Sequence, residues 1–218
     1  MNRSTLDILL SVGGLALAGL LLVLGLVMTS NANFAQRYVS DQLSQQNITF
    51  KPLADLSDEE KQSACVVAFA GQQLTTGKQA ECYANDFIGL HLQSVADGQT
   101  FADLGAPQSA LRAEVTAAEE SGDPAFAELQ SQLTAVTAQR ETLFKGETLR
   151  GLLLTSFGFS VFGVKAEQVA TVAYLVAALL TVLSLVGFVH AFTTPKTKAV
   201  AAMKYVDLDA DDKQILSV

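Results

Sequence analysis

The chain has 218 residues, a net charge of −8 and two cysteines, enough length for one or two domains. Half of its residues are apolar, so their distribution rather than their number sets the class. The acidic balance argues against nucleic acid as a partner and against tight docking on anionic lipid headgroups.

Ile8 to Met28 carries no charged side chain and only Ser11 as a polar one. At about 1.5 Å rise per residue the run covers roughly the 30 Å hydrocarbon layer of a bilayer. A cleaved signal peptide is the alternative, with Arg3 as a minimal basic flank and Ser30, Asn31 and Ala32 as a small-residue cleavage region. The apolar part of a signal peptide is about 7–15 residues, shorter than this run, and a retained helix is expected. Asn33 to Gln46 keeps Phe34, Tyr38, Val39 and Leu43 at helical spacing, which predicts that the helix continues for two or three turns beyond the span. Asn47 to Leu56, with Lys51-Pro52, reads as an extended crossing.

Ser57 then reads as an N-cap, with Asp58, Glu59 and Glu60 in a first turn where the helix dipole favours anions. This helix is expected to run to about Ala70 and to stop at Gly71. Gly77 to Ala96 is the next, with Ala80, Tyr83, Phe87, Leu90 and Ser94 along one stripe and Asp97-Gly98 at its end. Thr100 to Leu104 and Gly105-Ala106-Pro107 mark a turn region, and Ser109 to Glu120 a short Ala-rich helix. Asp123-Pro124 opens a long helix whose apolar positions are Phe126, Leu129, Leu133, Val136, Leu143 and Phe144.

From Leu149 to Phe162 the chain is densely apolar, with Gly158 and Gly163 in or just after the run. It is too short to span and predicts an interfacial or re-entrant helix, with Lys165 and Glu167 at the water boundary; a third span is the competing reading. Val169 to Phe192 is the second long apolar run, broken only by Thr171, Tyr174, Thr181, Ser184 and His190. Arg3 before the first span and Lys196, Lys198 and Lys204 after the second place both termini in the cytoplasm, against Arg37 and Lys165 on the other side. Asn31 to Arg150 holds 8 Lys/Arg against 16 Asp/Glu, so the whole net charge falls on the segment between the spans.

The expected fold is an all-α membrane protein. It comprises a cytoplasmic N-terminus and first transmembrane helix (1–30), a helical extracytoplasmic domain (31–148), an interfacial helix (149–165), a second transmembrane helix (166–193) and a cytoplasmic tail (194–218). The localisation that follows is a bacterial plasma membrane.

Cys65 and Cys82 both fall in the expected outer domain, where an oxidising compartment favours a disulfide over free buried thiols. Closing a loop of about 15 residues stabilises by about 3 kcal/mol in the chain-entropy model. Neither a Cys-x-x-Cys redox pair nor a c-type haem attachment site is present. His91 and His190 are expected on opposite sides of the bilayer and cannot share a metal. Asp207, Asp209, Asp211 and Asp212 suggest a calcium loop, but its sixth and twelfth positions are Asp212 and Val218 rather than Gly and Glu. No nucleophile, phosphate-cradle or dinucleotide motif occurs, and neither span carries an ionisable residue at its middle. The sequence therefore predicts no catalytic residue, no metal and no cofactor.

The spans do carry a packing pattern. Ser11, Gly14, Ala18 and Gly25 share one face of the first, and Ala170, Ala173, Ala177, Thr181, Ser184 and Ala191 one face of the second. In lipid, helices associate through close backbone approach at such faces, and the two stripes are expected to pack as a hairpin. The large apolar faces are then left for lipid or a partner, with Leu149, Arg150, Leu153, Phe157, Phe159 and Phe162 as the expected docking segment.

Two blocks bear on identity: Leu143-Phe144-Lys145-Gly146-Glu147-Thr148-Leu149-Arg150-Gly151-Leu152-Leu153-Leu154, and Tyr83-Ala84-Asn85-Asp86-Phe87-Ile88-Gly89-Leu90-His91 followed by Gly98-Gln99-Thr100-Phe101. Together with the two-span layout they resemble the actinobacterial respiratory supercomplex association factor, across Gly77 to Phe101 and Leu143 to Tyr174. The Cys65/Cys82 pair and the Ala-rich insert between Ala106 and Thr142 depart from that pattern. The resemblance implies a non-catalytic accessory subunit beside cytochrome bc1 and aa3-type oxidase complexes, binding no haem or copper itself. Two other readings are an extracytoplasmic sensor, for which Pro195 to Val218 is too short an output domain, and an envelope adaptor acting during assembly.

Overall fold

The fold is described from a computed structural model, which covers residues 3–193. The C-terminal tail and its aspartates lie outside the described residues. Among these residues all regular elements are helical: α1 (Arg3–Gln45), α2 (Ala64–Phe69), α3 (Gly77–Cys82), α4 (Gly89–Val95), α5 (Gly105–Ser121) and α6 (Phe126–Thr193). Two short 3-10 turns (Leu53–Asp55 and Glu60–Gln62) and a π-helical turn (Tyr83–Ile88) complete the set. The described residues divide into two compact units, one made of residues 3–28 and 168–193, the other of Thr29–Glu167.

In the first unit the ends of α1 and α6 lie antiparallel. A Cβ built on Gly14 would meet Ser184, one on Gly187 would meet Ser11, and one on Gly25 would meet the Tyr174 ring. Ser11, Ala18, Ala170, Ala173, Ala177, Ser184 and Ala191 are all buried. Ser4 Oγ donates to the Ala191 carbonyl (3.0 Å), and Asp7 sits 2.9 Å from His190 Nδ1. The small side chains thus occupy the seam, while Leu9, Leu10, Leu20, Leu175, Leu179 and Val186 point outward. Both helices are long and apolar enough to cross a membrane.

The second unit wraps residues 46–125 around the remainder of the two long helices. Asn47, at φ 52°, turns the chain out of α1, and a single antiparallel bridge, Thr49 with Gln73, holds the extended crossing. The expected helix from Ser57 to Ala70 is interrupted. Ser57 does cap a first turn, its Oγ accepting from Glu60 N while its own N–H donates to Glu60 Oε2. Ser63, however, is extended and caps a second start, accepting from Val66 N at 3.3 Å. The turn ends at Gly71, whose φ of 73° disfavours a side chain.

Thr76 and Gln79 form a capping box at the head of α3. From there Ala80, Ala84, Ile88, Leu92 and Ala96 are buried at four-residue intervals, with Cys82 also buried, while Tyr83, Phe87 and Leu90 are only half-buried and Ser94 is exposed. The expected stripe is thus rotated. A four-residue repeat drifts around a regular helix, but the π-turn at Tyr83–Ile88 takes more residues per turn and returns these side chains to the core. Asp97 and Gly98 both adopt positive φ and end the run. The next helix, α5, begins at Gly105 rather than Ser109. Pro107 is accommodated because the first N–H groups of a helix have no partner to lose.

The largest departure concerns 149–165. This segment is no separate interfacial helix; it is the middle of α6, which runs unbroken from Phe126 to Thr193. Gly158 and Gly163 weaken a helix by only about 1 kcal/mol each, and Gly163 is buried against Ala32, Ala35 and Gln36 of α1. The Gln36 side chain also donates to the Ser160 carbonyl at 3.2 Å.

Two features fasten the outer core. Cys65 and Cys82 are joined in a disulfide with a Cα–Cα distance of 6.0 Å, linking α2 to α3. Glu60, with its side chain 1% exposed, accepts from Lys51 Nζ at 2.7 Å and from Ser57 N at 2.8 Å, and lies 3.3 Å from His91 Nε2. Burial pushes its carboxyl up, but the Lys51 and Ser57 hydrogen bonds and the charge of Lys51 outweigh it and hold the carboxyl below its ordinary value. Burial also raises the Tyr83 phenol, with Glu60 adding to the effect.

Two predictions follow from this packing. A Cβ on Gly25 would lie between 2.5 and 2.9 Å from three carbons of Tyr174, whereas one on Gly19 meets nothing within 4 Å. Gly25→Val should therefore destabilise by about 1–3 kcal/mol in thermal unfolding in mild detergent. Gly19→Val should leave the midpoint unchanged. Because the Glu60 carboxyl is lowered on folding, its stabilisation is complete above its unfolded value near 4.5 and is lost as pH falls through the folded one. Glu60→Gln should cost about 1.5–3 kcal/mol at neutral pH. The gap between its melting temperature and that of the unsubstituted protein should narrow steadily below pH 4.5.

Candidate functional site

The outer part of α6 carries a run with no charge between Arg150 and Lys165. An α-helix cannot bury all sides of such a run against one neighbour. Its inward face is taken by Leu143, Leu153, Ser160 and Gly163. What remains outward is Leu149, Leu152, Phe159, Val161, Phe162 and Val164, of which Phe162 is 74% and Leu152 63% exposed. On α1, Phe34 and Tyr38 are exposed beside them, and their rings meet Phe159 at centroid distances of 6.4 and 5.7 Å. Phe34 and Tyr38 themselves stack at 5.8 Å. Edge contacts of this kind keep the rings ordered without hiding them.

The six residues expected to dock a partner are thus divided. Leu149, Phe159 and Phe162 are exposed, and Arg150 and Phe157 are half-buried. Leu153 is 3% exposed and belongs to the hydrophobic core with Leu43 and Leu143, so it offers nothing to a partner. The periodicity explains the difference, since Leu153 follows Leu143 and Gly146 around the inward face and precedes Ser160 by seven residues. Phe157 is held by its backbone approach to Gly77, at 3.4 Å from the position of a Cβ there. The stripe expected on α1 beyond the span also splits. Val39 and Leu43 are core, while Phe34 and Tyr38 form the aromatic patch, a role their four-residue spacing signalled without showing which way they face.

Between α1 and α6, next to this patch, a half-open groove of about 400 Å³ is lined by Tyr38, Val39, Leu43, Ile48, Leu152 and Phe159, among others. Its walls are largely apolar, with Gln42, Gln46 and Ser156 supplying polar groups. Such a surface excludes water from a matching apolar segment and provides few groups for chemistry on a substrate.

Both histidines are engaged structurally. His91 Nδ1 lies 2.6 Å from the Phe87 carbonyl while its Nε2 faces Glu60. His190 lies against Asp7 in the other unit. The one cluster of potential metal ligands among the described residues is Cys65, Cys82 and Asp86. Its sulfurs are bonded to each other, so they are not the thiolates a metal needs. Glu59 and Asp103 have lowered carboxyl values from local causes: the Glu59 carboxyl is hydrogen-bonded to backbone and to Ser57, that of Asp103 to Thr100. No family model, curated protein or solved structure matches the chain.

Proposed function

We propose that the chain is a non-catalytic accessory subunit of a membrane respiratory assembly, anchored by two transmembrane helices with both termini in the cytoplasm. The acidic unit between the spans is then extracytoplasmic. Its partners would be cytochrome bc1 and aa3-type oxidase subunits, in a bacterial plasma membrane of actinobacterial type. The observation that carries this reading is the exposed aromatic and aliphatic face of α1 and α6 around Phe34, Tyr38, Phe159 and Phe162. An apolar surface of this kind outside the spans marks a protein interface. The resemblance of the Tyr83–His91 and Leu143–Leu154 blocks to the supercomplex association factor supplies the identity of the partner.

Burying one exposed Phe or Leu against a partner contributes about 1.5–3 kcal/mol, and such anchors near an interface centre dominate affinity. In the respiratory setting the spans lie beside the integral subunits while the outer face rests on their extracytoplasmic portions. The role is to hold neighbours together, and the reading assigns no haem, copper or catalytic residue to this chain.

Deletion of the gene should weaken or abolish the supercomplex band in blue-native electrophoresis. Purification through a tag on this chain should bring down both complexes in stoichiometric amounts. Phe162→Ser, on a residue the fold does not bury, should leave the protein in the membrane but lower co-purification by at least about tenfold. An unchanged band together with a chain that migrates alone would reject the proposal, and substoichiometric recovery would favour a transient assembly role.

A further inference from the structure

A second concavity in the outer unit differs in chemistry from the apolar groove. It is a half-open cleft of about 380 Å³, lined by Leu92 and Leu143 on its apolar side and by Asn85, Thr100, Glu147 and Arg150 among its polar residues. It forms where α4 with the π-turn before it and the turn from Gly98 to Ala102 meet the middle of α6, about forty residues further along the chain.

Arg150 stands out within it. A guanidinium has five N–H donors in a fixed plane and no acceptor. Here its Nε is buried with no hydrogen-bond partner. Its terminal nitrogens reach Glu147 only at 3.3 and 3.4 Å and Asn85 Oδ1 only at 3.3 Å. Charge-assisted bonds of well-seated guanidinium groups are about 2.7–2.9 Å. Arg140, ten residues earlier on the same helix, shows the contrast. Its Nε has a partner, donating to the Phe101 carbonyl at 3.3 Å, and its guanidinium also bonds Gln108 and lies 4.1 Å from the centre of the Phe101 ring.

We propose that the cleft binds a carboxylate of a neighbouring protein, from an acidic side chain or a chain end, on the Arg150 guanidinium. A planar group with two oxygens matches the two terminal nitrogens of the guanidinium, and Phe101, exposed in the cleft wall, receives the apolar group adjoining it. Glu147, whose side chain is 52% exposed, holds the guanidinium loosely enough to give way to solvent. Phosphate and other dianions are disfavoured, because Glu147 and the −8 charge of the segment between the spans repel a second negative charge that a single guanidinium cannot offset. The inference concerns the outer unit alone and stands whether or not the partner is respiratory.

The test uses the full chain in mild detergent with isotopically labelled arginine, following the Nε–Hε resonances by NMR. The probes are N-acetyl-leucine, which offers a terminal carboxylate, N-acetyl-aspartate amide, which offers a side-chain one, and N-acetyl-leucine amide as the neutral control. The Arg150 resonance should move and saturate in the millimolar range with at least one carboxylate, at a concentration at least about tenfold below any effect of the amide. The better probe identifies the source. Glu147→Gln, at an exposed position, should lower the saturating concentration, because the internal competitor is neutralised. A resonance that does not move, one that moves equally with the amide, or binding weakened by Glu147→Gln would overturn the proposal.

Discussion

Two helix backbones approach closely only where one of them presents little beyond a Cβ, and that constraint organises this chain. On α1 the buried small residues recur at intervals of seven: Ser11, Ala18, Gly25 and Ala32. On α6 the same interval runs through Gly163, Ala170, Ala177, Ser184 and Ala191. A seven-residue repeat keeps a seam facing its neighbour along a slightly underwound helix. Because the seam is filled by Gly, Ala and Ser, the large side chains have no inward place and are driven to the outer surfaces. In lipid this costs nothing, since the surroundings are as apolar as the side chains. The exposed leucines and valines of the first unit follow directly from the small residues of its seam.

In the second unit the same device serves a different end. Gly77 lies against Ser160, and Gly146 receives the side chain of Leu92, so the short helices lean on α6 at glycine-sized gaps at two levels. Between these contacts the core depends on side chains of moderate size, with Phe50, Val66 and Leu74 almost fully enclosed. So small a set of helices, two of them six residues long, has little intrinsic stability. The disulfide from α2 to α3 and the buried Glu60 node compensate from opposite directions. One restricts the unfolded chain; the other joins Lys51 of the extended crossing and His91 of α4 to the turn at Ser57. Glu60 also fixes register, because a buried carboxylate tolerates only arrangements that supply its partners.

The sequence disclosed what is encoded within a few residues. Ser57 as a cap, Gly71 and Asp97-Gly98 as stops, and the small-residue faces of the spans are all visible in short patterns, and the structure places each in the corresponding position. The two cysteines were legible for a different reason: compartment and count favour pairing without any knowledge of distance. What eluded sequence reasoning depends on contacts between distant segments. Glu60 reads as a dipole-favoured acid in a first turn, and only the arrival of Lys51 and His91 makes it a buried node. The π-turn at Tyr83–Ile88 has no residue signature of its own, so the stripe was misphased. Leu153 looked like its exposed neighbours because a uniformly apolar run conceals which face is inward. The length of the same run suggested a separate helix, whereas it is the middle of α6, and its Gly163 lies against Ala32, Ala35 and Gln36 of α1.

The placement of charge bears on what the apolar face can meet. Between Arg150 and Lys165 on α6, and between Asp7 and Arg37 on α1, there is no charged residue, while the segment from Asn31 to Arg150 carries a net −8. Two copies of the chain meeting face to face would bring two such acidic segments together. Repulsion between exposed charges fades beyond roughly 8 Å at physiological ionic strength, so it acts at the rims of an interface rather than across the whole molecule. A like net charge on both copies therefore opposes self-association without weakening a contact to a neutral or basic neighbour. On the proposed reading the aromatic patch supplies affinity that does not discriminate between apolar surfaces, and the net negative charge of the segment supplies the discrimination. On the same reading an under-satisfied Arg150 beside Glu147 and Asn85 adds a third element, admitting one acidic group of a partner at one position while the net charge of the segment turns acidic partners away.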